Sequence, residues 1–102
     1  MISKGIKMAK SKFQNPLLDE LFESFLEINS RKEWYKVFED LCTIQEIKDM
    51  TLRFEVAKKL NEGLSYQIIS EQTGASSTTI SRVAKALGYG EGGYQLLLRK
   101  KD

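Results

Sequence analysis

The residues best suited to chemistry lie in the run SYQIISEQTGASSTTISRVAK, from Ser65 to Lys85. Ser76, Ser77, Thr78, Thr79, Arg82 and Lys85 follow one another closely there, with Ser81 at the margin of the same face. Small hydroxyl side chains let a helix approach base edges and phosphates, and arginine pairs its two-pronged guanidinium with guanine. No acid occurs from Gln72 to Tyr89, so nothing in this stretch repels a phosphate. The expected assignment places Ser77, Thr78, Thr79 and Arg82 on bases of double-stranded DNA, and Ser65, Gln67, Ser76 and Lys85 on its phosphates. The plain alternative is a helical hairpin with a polar face that binds no nucleic acid.

Other chemistries find little support. The chain has no histidine and one cysteine, Cys42, which excludes a histidine general base, a Ser–His or Cys–His pair and an ordinary zinc site. Cys42 reads as a small structural residue, and Glu39, Asp40 and Glu46 lack metal-ligand spacing. The expectation is therefore no enzyme, no catalytic residue, no metal and no cofactor. GYGEGG at 88–93 satisfies G-x-G-x-x-G literally. That motif binds a dinucleotide only after a strand, whereas here it follows a helical pattern and reads as a mobile joint.

The elements that must position the hydroxyl cluster are all helical. Ser65 can cap a short helix carrying Ile68 and Ile69. Thr73, Gly74 and Ala75 make a tight turn. Ser76 caps a second helix with Ile80, Val83, Ala84 and Leu87 at three- and four-residue spacing, which Gly88 is expected to stop. Two short helices joined by a glycine-containing turn form a helix-turn-helix. Upstream, Asn15 and Pro16 open a helix whose Leu17, Leu18, Leu21, Phe22, Phe25, Leu26 and Ile28 cover an arc of about 180°. A surface helix of a monomer needs only about 100°, so this one is expected to be buried against two bodies. Ser30 and Glu33 form a capping box opening a second helix, with Trp34, Phe38 and Leu41 on one face and Tyr35 and Val37 beside it. Thr43 and Glu46 repeat the signature for a third helix running to about Glu62. A last helix is expected at 94–101. The class is all-α.

The 102 residues suit one small domain, with 41% hydrophobic and 29% charged residues. No run approaches a membrane span or a secretory signal, so the expected setting is the cytoplasm of a prokaryotic cell, beside the nucleoid. The net charge of +2 is unevenly spread. Residues 1–12 hold four lysines and no acid, whereas residues 13–60 hold seven Lys and Arg against ten Asp and Glu, a balance of −3. Residues 1–14 thus read as a basic, disordered arm ahead of a helix-turn-helix domain at 15–102.

At these residues the chain resembles the Trp repressor superfamily, and within it the small TrpR-related proteins of the YerC/YecD type. The similarity covers about Asn15–Leu98 and is densest in LNEGLSYQIISEQTGASSTTISR and the capped helix before it. The resemblance implies a Trp repressor-like helical fold in which two chains interlock through their N-terminal helices. It also implies a homodimer presenting one helix-turn-helix per subunit to successive major grooves, as a transcriptional repressor would. Thr43 matches the residue beside that family's tryptophan ligand, and Arg53 and Arg82 match the arginines that sandwich the indole. Val83 stands where the family has glycine and Ala86 where it has serine. A filled slot and a lost polar partner disfavour tryptophan as effector here. A protein-interaction module that keeps the fold without binding an operator is the alternative from a different class.

Overall fold

The computed structural model describes residues 11–99. The first ten residues of the expected basic arm, and Lys100 and Lys101 of the expected last helix, lie outside them. The described residues form six helices in order: α1 (Pro16–Phe25), α2 (Arg31–Leu41), α3 (Ile44–Asn61), α4 (Tyr66–Thr73), α5 (Ser77–Tyr89) and α6 (Gly93–Leu98). Among the described residues there is no strand, and the class is all-α as expected. The chain divides into two compact units between Phe38 and Glu39, within α2.

In the first unit, the Asn15 side chain accepts from the Leu18 N–H at 2.8 Å, which fixes the start of α1. Its end differs from the expectation. Leu26, Glu27 and Ile28 donate to the carbonyls of Glu23, Ser24 and Phe25, three residues back. The last turn is therefore wound more tightly than an α-helix, and Leu26 and Ile28 fall beyond α1. The Ser30 hydroxyl accepts from the Glu33 N–H at 3.1 Å, while the Glu33 carboxylate accepts from Asn29 at 2.9 Å rather than from Ser30 itself. Phe22, Phe25, Trp34 and Phe38 form a row with successive ring centroids 6.1, 5.1 and 5.8 Å apart, tilted or edge-on. No residue of α1 or α2 is fully buried, and Leu17 and Leu26 are about three-quarters exposed.

The second unit holds the fully buried core: Val56 and Ala57 of α3, Ile69 of α4, Ala75, and Ile80 and Val83 of α5. Thr43 and Glu46 close a reciprocal capping box at 2.8 and 3.0 Å. At the other end of α3, Gly63 donates to Leu60 and Leu64 to Lys59, a Schellman closure that carries Leu64 onto the core. α3 packs against α4, α5 and α6, which makes it the platform on which the helix-turn-helix is mounted. α5 continues through Gly88 to Tyr89, two residues farther than expected. Gly88 has open space around it, whereas a Cβ on Gly90 would overlap the Ala86 carbonyl. α5 stops at Gly90 because its backbone turns extended, a conformation in which only glycine avoids that overlap. α6 ends at Leu98 rather than 101, because Arg99 is extended.

Candidate nucleic-acid interface

The helix-turn-helix is built by short-range hydrogen bonds. The Ser65 hydroxyl accepts from the Ile68 N–H at 3.2 Å and starts α4. Gly74 ends it at φ +79°, a left-handed conformation that costs glycine little. The turn is then cross-tied. Thr73 Oγ1 donates to the Ile69 carbonyl at 2.7 Å and accepts from the Ala75 N–H at 3.1 Å, while the Ser70 hydroxyl donates to the Ala75 carbonyl at 3.0 Å. Ser76 Oγ accepts from the Thr79 N–H at 3.1 Å and starts α5. Ile69, Ala75, Ile80 and Val83 clamp both helices onto α3, so the outer face of α5 is carried on a packed base.

That outer face matches the pattern read from the sequence at most positions. Ser65, Gln67, Ser76, Ser77, Thr78, Ser81, Arg82 and Lys85 are exposed, whereas Thr79 is half-buried. Thr79 Oγ1 also accepts from Ser76 Oγ at 3.2 Å, which commits both hydroxyls to the start of the helix. Gln67 Nε2 donates to the Glu71 carboxylate at 3.4 Å one turn along α4. At the exposed starts of α4 and α5, the first N–H groups point outward with the positive end of the helix dipole. On α4, Tyr66 is about half exposed and Ile68 39% exposed, so only Ile69 of the expected apolar pair enters the core.

Behind the outer face lies a cavity of about 310 Å³, at the small end of the range for ligand pockets. Arg53 of α3 and Thr79, Arg82, Val83 and Ala86 of α5 line it, with Tyr94 of α6 as a further wall. The structure thus brings Arg53 and Arg82 to one cavity and places Val83 and Ala86 beside them. Thr43 is not part of its lining; its hydroxyl accepts from the Glu46 N–H. Tyr94 was not foreseen, because α6 returns along α3 and α5 through contacts that no local pattern encodes. Cys42 is half-buried and free. Among the described residues, no cluster of three or more His, Cys, Asp or Glu is placed to hold a metal, and no helix is long and apolar enough to cross a membrane.

Comparisons with known proteins agree with this architecture. Residues 16–102 match the family described as Trp repressor protein. The uncharacterized protein YerC of Bacillus subtilis is 45% identical over 91 residues, which cover 89% of this chain and 88% of that one. A solved structure of a candidate Trp repressor from Staphylococcus aureus superposes with a TM-score of 0.80 at 41% identity, covering 85% of this chain and 87% of its own. A TrpR-like protein from Eubacterium eligens gives 0.78 at 43% identity, covering 88% and 98%.

Proposed function

This chain belongs to the Trp repressor family, and we propose that it is a homodimeric, sequence-specific DNA-binding transcriptional regulator, a repressor acting in the cytoplasm on nucleoid DNA. The observation that carries this reading is the outer face of α5. Ser77, Thr78, Arg82 and Lys85 stand exposed, in a stretch with no acid from Gln72 to Tyr89, on a helix whose opposite face, Ile80 and Val83, is locked into the core. With α5 in the major groove, Ser77, Thr78 and Arg82 read base edges. Thr79 supports them, because its hydroxyl is already bonded to Ser76. Lys85, Gln67 and Ser65 meet phosphates, while Ser76, whose hydroxyl is bonded to Thr79, starts α5 and so presents the free N–H groups of Ser77 and Thr78 in its first turn.

The dimer is supported by the first unit, in which no described residue is buried while Leu17, Phe22 and Leu26 are 75, 54 and 74% exposed. Apolar surface of that extent marks a subunit interface. The regulator works without tryptophan as corepressor, since Val83 and Ala86 both line the cavity between Arg53 and Arg82. A second reading, a protein-interaction module, draws on the net charge of only +2 and on the exposed Tyr66 and Ile68. Titrating genomic duplex fragments with the protein at several salt concentrations separates the two. The regulator gives a log affinity that falls linearly with log salt; an interaction module gives no retained duplex at any salt.

A further inference from the structure

α6 is six residues long, too short to persist by itself, and Leu96 and Leu97 on it are about two-thirds exposed. Its position must be imposed from outside, and three observations show how. First, the linker allows the reversal: Gly90 adopts a conformation with no room for a Cβ against the Ala86 carbonyl, and Gly92 sits at φ +90°. Second, Gln95 Nε2 donates to the Leu87 carbonyl at 2.6 Å. α5 ends at Tyr89, so that carbonyl is among the last four of the helix and lacks an in-helix partner. Third, Tyr94 is half-buried, packs on the core with Leu98, and lines both the cavity behind α5 and its neighbour beside Met50 and Phe54.

From this geometry we propose that α6 is a brace for the reading helix. Tyr94 is wedged between α3 and α5, and Gln95 latches the wedge to the last turn of α5. Together they hold α5 at a fixed angle on its platform from within the chain. The brace rests on the DNA-binding reading for its purpose but not for its existence. Tyr94 is a positioning residue, acting through its ring, so phenylalanine replaces it and alanine does not. Gln95 is exposed, so Gln95→Ala leaves folding intact and isolates the latch.

The test is hydrogen exchange on the free, full-length protein, paired with affinity for its best selected duplex. Gln95→Ala should speed exchange in α6 and the last turns of α5 by up to about tenfold, the scale of one lost hydrogen bond, and Tyr94→Ala, which removes the packed ring, by at least as much. Exchange in α3 and α4 should stay as it was, duplex affinity should fall by a similar factor, and Tyr94→Phe should preserve both. Unchanged exchange in α5 for both alanine variants overturns the brace. So does uniform acceleration through α3, α4 and α5, which would make Tyr94 an ordinary core residue. If the wild-type protein retains no duplex, the DNA-binding reading fails, and the exchange comparison alone decides the brace.

Discussion

Val83 offers a direct test of the cavity behind α5. It is 2% exposed, sits in the middle of α5, and forms part of the wall shared with Arg53 and Arg82. Val83→Gly removes three buried carbon atoms, worth about 0.8 kcal/mol each, or roughly 2.5 kcal/mol together. Glycine in a helix interior costs about 1 kcal/mol more. The expected loss is therefore about 3.5 kcal/mol, which a domain with 5–15 kcal/mol of stability survives. Pairing it with Ala86→Ser adds a hydroxyl to the same wall. Urea unfolding should show the loss, and calorimetric titration with L-tryptophan should show no binding to the wild type up to millimolar ligand. The double variant should gain measurable affinity, because the removed side chain enlarges a cavity of about 310 Å³ already lined by two guanidinium groups. Submillimolar binding of tryptophan to the wild type would show that Val83 and Ala86 do not close the cavity to the indole. A double variant that folds but gains no affinity would show that Val83 is not the obstruction.

Other expectations can be measured separately. Sedimentation equilibrium at micromolar concentration should return twice the chain mass, and Phe22→Ala should cost about 3–5 kcal/mol with dimer and fold lost together; a stable monomer would count against the interlocked pair. Lys85→Ala should weaken all duplexes alike and reduce the salt slope by about one; loss confined to one base position would reassign Lys85 to reading. Gly74→Ala should destabilise by at least about 1 kcal/mol in thermal or urea unfolding, since a side chain is strained at φ +79°; an unchanged midpoint would mean the turn relaxes freely.

The helix starts were legible because capping is local. Asn15, Ser30, Thr43, Ser65 and Ser76 each bond a backbone N–H three residues ahead, and the residue types alone announce it. The ends were less so. Gly88 reads as a stop on residue type, but it lies in open helix, and the chain leaves the helix at Gly90, in an extended conformation where a Cβ would overlap the Ala86 carbonyl. Leu26 and Ile28 fit the apolar arc of α1, yet tightened winding after Phe25 removes them from the helix. The exposed face of α5 was readable from its period, except that the Thr79 hydroxyl turns back to Ser76. The shared cavity of Arg53 and Arg82 rested on resemblance, since positions 29 residues apart meet only after α3 and α5 pack. The return of α6 through Tyr94 and Gln95 left no signal, because it depends on where the Leu87 carbonyl lies in space.

On the proposed reading, the face of α5 reads DNA sequence through Arg82. Selecting bound duplexes from a random library with the wild type and with Arg82→Ala in parallel decides it. The wild type should enrich a site of two related halves, their centres about 34–36 Å or a multiple apart. Arg82→Ala should bind that site about 1–3 kcal/mol more weakly and lose its preference at one base pair in each half. No enriched sequence from the wild type, or an identical enriched sequence and affinity from the variant, would contradict it.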